Sequence, residues 1–219
     1  SRGSSGLSPN PEVFRDAIVQ VFAARAFSWR GILGVHTWIA VKPTNASAYT
    51  VYQLVGWRLR RGENPVVIEH DIPDRLWYDA MPELLVDVRG AGVDAVIEEI
   101  DIAAKSYPYK NTYSVWPGPN SNTFIAWIGR LVPELRLDLP ATAIGKDWLG
   151  GGRIFARAPS GTGYQLSLFG LFGILFGLEE GLEINIFGLN FGIDALDTNL
   201  RLPGIGRIGP SNKVKPRTL

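Results

Sequence analysis

The sequence predicts an α+β protein in which an antiparallel sheet packs against two helices and a long β-hairpin lies towards the C terminus. Short segments rich in β-branched residues fill the first 70 positions, helical spacing begins near Asp94, and apolar and polar residues alternate in the last third. The 25 glycines and 15 prolines indicate many turns and few long helices. We expect one α+β domain over residues 11–209.

The composition excludes several classes of function. The 22 Lys and Arg residues nearly balance the 21 Asp and Glu residues and are scattered along the chain, so no nucleic-acid partner is expected. The absence of cysteine and the presence of only His36 and His70 predict no metal site, and no cofactor is expected. No apolar run reaches the roughly 18 residues of a membrane-spanning helix.

The two ends of the sequence look irregular. The first six residues, SRGSSG, are small and polar, so we expect residues 1–10 to be a flexible spacer, such as the remnant of a removed signal or anchor. Residues 210–219 follow a Gly- and Pro-rich stretch and include KVKPR, which predicts an irregular tail.

The first part of the domain is predicted to be an antiparallel meander. Strands are expected over residues 17–26, 34–42, 49–61 and 65–70, because these segments are rich in β-branched and aromatic residues. Turn-forming sequences, PTN at 43–45 and RGEN at 61–64, separate the last three.

Two helices are predicted next. Val93, Val96, Ile97, Ile100 and Ala104 recur at three- and four-residue intervals with acidic residues between them, which indicates an amphipathic helix ending near residue 106. A second helix opens at the NSN run of residues 120–122 and is stopped by the proline at 133. Residues 138–160 are expected to form an irregular loop that covers one face.

The hairpin of residues 164–196 is predicted from two alternating segments. Residues 164–178 and 182–194 are separated by EEG, and their glycines argue for strands with bends. Both faces of the first strand carry apolar residues. Either both faces pack inside the domain, or Leu168 to Phe191 forms an exposed patch for a membrane or a membrane-protein partner.

Ser121 is the candidate nucleophile. A serine at a helix N-terminus is either part of the cap or lies where backbone N–H groups stabilise an oxyanion. The candidate base is His36, which the spacing alone also permits to be a hydrogen-bonded core histidine. His70 is the second choice, and His70, Asp71 and Tyr52 are the candidates for an orienting third group.

The remaining site predictions concern support and substrate. Asn120, Asn122 and Tyr109 are expected to support the oxyanion site. Tyr113, Trp116 and Trp38 are expected to line a substrate groove, although aromatic residues in a Pro-rich loop also commonly hold such a loop on the core.

The order of the motifs HTW, residues 36–38, and NSNTF, residues 120–124, is similar to that of circularly permuted papain-like hydrolases. In those enzymes an early-strand histidine meets a cysteine at the start of a later helix. The resemblance implies that Ser121 stands at the cysteine position. A hydroxyl depends on its base more than a thiol does, because a thiol is partly ionised near neutral pH.

A longer part of the chain resembles a bacterial family of unknown function, the domain of unknown function number thirty-seven fifty. The segments that carry the resemblance are WRGILGVHTWIAVKP, YPYKNTYSVWPGPNSNTFIAWI, PELRLDLPATAIGKD and APSGTGYQLSL. The resemblance implies an envelope protein with an N-terminal hydrophobic anchor, in the periplasm or attached to the membrane.

Two functions remain open from the sequence. The first is a serine-variant papain-like hydrolase that cleaves an amide or ester of the envelope, in a peptidoglycan peptide or an acyl lipid. The alternative is a non-catalytic envelope accessory subunit that docks to a membrane protein or lipid through the apolar hairpin.

Overall fold

The computed structural model describes residues 3–210 and 213–219 and contains two β-sheets. The first sheet contains the strands β1 (Ile18–Arg25), β2 (Val35–Lys42), β3 (Thr50–Leu54), β4 (Val66–His70) and β5 (Glu83–Arg89). Two α-helices follow these strands, α1 (Val93–Lys105) and α2 (Ser121–Leu131). Short 3₁₀ helices span Ser28–Ile32, Gly56–Arg61 and Pro133–Leu135. The remaining strands are β6 (Phe155–Arg157), β7 (Gly163–Leu168), β8 (Phe172–Gly177), β9 (Gly181–Ile186), β10 (Leu189–Asp194), β11 (Asn199–Leu202), β12 (Gly206–Ile208) and β13 (Arg217–Thr218).

The first sheet has the strand order β13-β5-β1-β2-β3-β4 and is antiparallel except where β13 joins β5. Both helices pack on one face, where Val21 and Ile39 of the sheet belong to the same buried core as Ile100 and Phe124 of the helices. A smaller aromatic cluster, which includes Trp38, covers the other face. The α+β class and the largely antiparallel pairing are therefore confirmed.

The predicted strand over residues 49–61 is wrong in its second half. β3 ends at Leu54 and the chain then forms a 3₁₀ helix, because the segment WRLRR lacks the β-branched residues that favour a strand. The ring of Tyr113 packs so closely on Gly56 that a Cβ there would lie 2.6 Å from it. The strand β5, which pairs with β1, was not predicted from the sequence.

The long hairpin is also wrong, because residues 164–196 form four strands of a seven-stranded meander that runs in order from β6 to β12. A three-residue turn at 169–171 and a two-residue turn at Phe187–Gly188 divide the predicted strands. Phe169, Gly170, Phe187 and Gly188 all have positive φ, as expected of turns that fit the twist of antiparallel strands.

The second sheet is polar on its inner face and apolar on its outer face. The inner side chains, such as Gln165, Glu183, Asn190 and Arg201, are buried against the loop of residues 138–149. Outward positions of β6 to β12 carry apolar side chains that are 41–65% exposed, namely Phe155, Tyr164, Leu166, Leu168, Phe172, Ile174, Phe176, Leu182, Ile184, Ile186, Phe191, Ile193, Leu200 and Ile208. We call this set the outer apolar face.

Both termini make more contacts than expected. Residues 3–10 are not a free spacer, because Asp74 accepts hydrogen bonds from the backbone of Leu7 and Ser8, and the Tyr49 hydroxyl donates to the carbonyl of Pro9. In the predicted tail, β13 pairs in parallel with β5. The remaining parts of these two predictions, residues 1–2 and 211–212, lie outside the described residues.

Candidate functional site

The candidate site is a cleft of about 940 Å³ beside the N-terminus of α2. β2 and β3 pair only from Ile39 to Val41 and from Thr50 to Tyr52, so the rest of β2 and the end of β3 lie apart. The cleft lies next to this separation. Its walls are the 26–36 segment, the 54–60 segment, the 111–116 loop and the start of α2.

The NSNT motif at the start of α2 holds the wall of the cleft together. Asn120 is the N-cap, because its Oδ1 accepts from the backbone N–H groups of Asn122 and Thr123 and its backbone N–H donates to the Thr123 hydroxyl. Asn122 donates to the carbonyls of Val35 and Ile144 and accepts from Thr37. These bonds fix α2 against β2 and against the 142–145 loop.

Ser121 differs from its neighbours in the motif. It is buried at the first helical position and lines the cleft, yet its hydroxyl makes no hydrogen bond with any residue that the structure describes. The structural role of the motif is thus carried by Asn120, Asn122 and Thr123. The Ser121 hydroxyl remains available to a molecule in the cleft.

His36 also lines the cleft but is paired with another residue. Its Nε2 lies 3.0 Å from Oε1 of Gln53, and its ring stacks on Trp77 at 3.9 Å between centroids. The Thr37 hydroxyl donates to Asn122, the neighbour of Ser121. Because side chains alternate along β2, His36 points to the opposite face of the strand from Thr37. Burial lowers the pKa of His36 to about 4.

The other predicted site residues are divided between the cleft and the rest of the molecule. Tyr113 and Trp116 line the cleft, as predicted for a groove. Trp38 is buried in the aromatic cluster and donates to the carbonyl of Pro73, and Tyr109 packs on Trp148 and donates to the carbonyl of Leu149.

The candidates for an orienting group lie elsewhere. His70 is exposed and contacts the Thr50 hydroxyl, Asp71 pairs with Arg75, and Tyr52 donates to Asp101. Within the described part of the chain, none of these three residues lines the cleft.

Several arginine and tryptophan side chains that line the cleft were not predicted from the sequence. Arg30 lies over the ring of Trp29, and Arg61 lies over that of Trp57, each at 4.9 Å from the ring centroid. Trp29, Arg30, Trp57 and Arg60 line the cleft, whereas no Asp or Glu does so among the described residues. Only the density of Arg and Trp in WRG and WRLRR could have indicated this in the sequence.

The outer apolar face reaches the cleft at one end. Phe187, in the turn between β9 and β10, and Leu189, at the start of β10, line the cleft. The ring centroids of Phe187 and of Phe172 on the outer face lie 4.8 Å apart. The Trp116 indole donates to the carbonyl of Phe187 at 2.6 Å. Apolar surface therefore continues from the sheet into the cleft.

A buried charge network fixes which face of the second sheet points outwards. Arg201 donates to Asp138 at 2.6 Å and to Glu183 at 3.0 Å, and Glu183 also contacts Lys146. Asp147 accepts from Gln165, Asn185 and Asn190. Burial opposes the charge of Lys146, but Asp147 and Glu183 more than offset this effect and raise its pKa.

The comparisons with known proteins identify the family. The family model described as "Protein of unknown function (DUF3750)" matches residues 16–148, which is more than half of the 219 residues. The chain belongs to this family. The DUF3750 match contains β1 to β5 of the first sheet, both helices and the cleft-forming segments up to Ile144, and it ends before β6. No curated protein and no solved structure matches this DUF3750 chain.

The described residues contain neither a metal-binding cluster nor a membrane-spanning helix. Among residues 3–210 and 213–219, no group of three or more His, Cys, Asp or Glu side chains is arranged to hold a metal ion. The same residues contain no helix with the length and apolar character needed to cross a bilayer.

Proposed function

We propose that this DUF3750 protein is a peripheral membrane protein of the bacterial envelope, where it acts as an accessory subunit that lies with its outer apolar face on the lipid bilayer. The observation that carries the proposal is the composition of that face: among the described residues, no outward position from β7 to β11 has a charged side chain. Exposed apolar patches of this extent are rare on soluble monomers.

A bilayer suits this face better than a protein partner does. Protein interfaces typically contain about one hydrogen bond per 100–200 Å². On the outer face of β7 to β11, the Tyr164 hydroxyl is the only side-chain hydrogen-bonding group in the described region. Acyl chains require no such partners, and each buried CH₂ contributes about 0.8 kcal/mol to membrane binding.

The rim of the outer apolar face also suits a membrane surface. Trp29, Trp57 and Trp116 are exposed near its cleft end, and Arg30 and Arg61 lie over two of these rings. Tryptophan and arginine are amphipathic and favour the boundary between acyl chains and headgroups. An envelope setting is also what the sequence resemblance implies for this family.

Vesicle flotation tests the proposal. The protein is expected to float with phosphatidylcholine–phosphatidylglycerol vesicles, and the double variant Ile174→Glu, Ile184→Glu is expected to reduce the bound fraction at least tenfold. These residues are paired neighbours on the outer face. A matched control, Ile102→Glu with Leu131→Glu, changes two exposed aliphatic residues on the helices and should float like the native protein. Equal flotation of both variants, or no flotation of the native protein, would contradict the proposal.

The second proposal is a serine-variant hydrolase with a permuted papain-like arrangement, acting on an envelope amide or ester. It is favoured by the free hydroxyl of Ser121 and by the presence of His36 in the same cleft. In this mechanism His36 must leave Gln53 and accept the proton of Ser121 as the hydroxyl attacks a carbonyl carbon. Three observations make this the weaker candidate: the bond of His36 to Gln53, its position on the face of β2 opposite to Thr37, and a pKa of about 4, which is far below pH 7.

Labelling with a fluorophosphonate probe tests the hydrolase. An active pair predicts one covalent adduct on the native protein and none on Ser121→Ala or His36→Ala, with all three equally folded by circular dichroism. Absence of the adduct on folded native protein, or its persistence in Ser121→Ala, would exclude Ser121 as an activated nucleophile.

A further inference from the structure

We infer that the cleft binds one anionic amphiphile, with its acyl chain among the aromatic residues and its carboxylate or phosphate at Arg30 and Arg60. This ligand site goes beyond bilayer docking and does not depend on it. It also does not require Ser121 to be catalytic.

The cleft has the size and the apolar lining of a small-molecule site. A volume of about 940 Å³ lies at the upper end of the roughly 300–1,000 Å³ found for small-molecule sites. Leu33, Leu54, Val55, Trp77 and Tyr78 supply apolar wall from several different segments. The hydrocarbon surface of these residues accepts a flexible acyl chain.

The lining of the cleft carries positive charge. Arg30 and Arg60 line the cleft, and neither guanidinium forms an ion pair or hydrogen bond with a described residue. The lining residues include no carboxylate within the described chain, and His36, with a lowered pKa, is neutral near pH 7. The uncompensated charge of the cleft is therefore positive, which selects an anionic headgroup.

Ser121 adds a hydrogen-bond donor to the cleft. The Ser121 hydroxyl has no partner in the described structure, and it lies at the N-terminal end of α2, where the helix dipole favours negative charge. The Ser121 hydroxyl thus adds a neutral hydrogen-bond donor to the lining that contains the two arginines. The continuous apolar surface through Phe187 provides an entry for the chain.

Calorimetric titration with sodium decanoate below its micellar concentration tests the site, because no vesicle is present. We expect one decanoate per chain and at least tenfold weaker binding by the double variant Arg30→Gln, Arg60→Gln. The control Arg15→Gln with Arg157→Gln makes the same change in net charge away from the cleft and should bind like the native protein. Decanol, which has the same chain without the charge, should also bind at least tenfold more weakly.

Two ligand sources share this chemistry, and a second titration distinguishes them. Tighter binding of monomeric dihexanoyl phosphatidylglycerol than of decanoate would identify a phospholipid headgroup, and the reverse order a free fatty acid. Failure of both probes to bind, equal binding of decanol and decanoate, or equal affinity of the two arginine double variants would overturn the inference. None of these outcomes depends on flotation, so the site and the docking face are judged separately.

Discussion

Within the NSNT motif, Asn120 caps helix α2, whereas the hydroxyl of Ser121 takes no part in holding the described residues together. The Asn120 side chain bonds to the first turn of α2 and to the carbonyls of Val115 and Ile144, whereas the Ser121 hydroxyl bonds to nothing in the described chain. The sequence pattern indicated a cap without identifying which of three adjacent polar residues formed it. Only the position of the neighbouring loops distinguishes them.

Asn120→Ala is therefore expected to be far more damaging than Ser121→Ala. The alanine leaves the backbone N–H groups of Asn122 and Thr123 and the carbonyl of Val115 without their partner, which should lower the free energy of unfolding by at least about 2 kcal/mol. Ser121→Ala removes an unbonded hydroxyl and should change it by less than about 1 kcal/mol. Urea unfolding of both variants measures the difference, and equal losses would refute this division of roles.

His36 makes the stability depend on pH. Burial lowers its folded pKa to about 4 from an ordinary value of 6.5, so the unfolded chain binds a proton that the folded chain does not. Stability from this group is full above about pH 6.5 and falls as the pH decreases towards 4, by up to about 3 kcal/mol.

Unfolding of the native protein and of His36→Gln between pH 7 and pH 4 isolates this contribution. The variant is expected to lose less stability on acidification, while His70→Gln, which changes the exposed histidine, should follow the native curve. An NMR titration that gave His36 a pKa near 6.5 would contradict the burial argument.

Among the elements, the second sheet shows both the strength and the limit of sequence periodicity. The alternation of apolar and polar residues correctly predicts strands over residues 164–194, but it does not say which face is inside. The polar side chains are the inner ones, because Asp138, Lys146 and Asp147 come from a distant loop that complements them. The Phe-Gly pairs that form the turns were also ambiguous, since Phe rarely adopts positive φ.

The inner charge network should be essential to the second sheet. Arg201→Met leaves Asp138, Glu183 and Asp194 without their shared buried cation, so we expect a loss of about 3–5 kcal/mol. Arg207→Met is the matched control, because the Arg207 side chain is partly exposed and pairs with a single carboxylate, Asp138, among the described residues, and it should cost less than about 1 kcal/mol. Chemical unfolding measures both, and a native-like Arg201→Met would show that packing alone orients the sheet.

For the whole molecule, the two helices and the strands β1 to β4 were largely predictable, whereas β5, β13 and the cleft were not. Helix periodicity and β-branched segments determine α1, α2 and most of the meander locally. The cleft depends on the separation of β2 from β3 and on Phe187 arriving from a different sheet, which no local pattern encodes. For the same reason the sequence suggested a Ser121–His36 pair and did not reveal Gln53 as the partner of His36.

The outer apolar face should also govern behaviour without lipid. In vesicle-free buffer the native protein is expected to associate as its concentration rises, because two such faces remove each other from water. The double variant Ile174→Glu, Ile184→Glu should sediment mainly as a monomer at the same concentration. Sedimentation velocity that found the native protein monomeric throughout would argue against an accessible apolar face.

The pairing of β13 with β5 has a mechanical consequence. The chain enters the second sheet from the 138–149 loop and afterwards returns to the edge of the first sheet, where Arg217 also donates to the carbonyl of Glu134. The second sheet is thus connected to the first at both of its ends, which should restrict rotation of one sheet relative to the other. If the outer apolar face lies on a bilayer as proposed, the β13–β5 pairing would therefore set the distance between the acyl chains and the cleft.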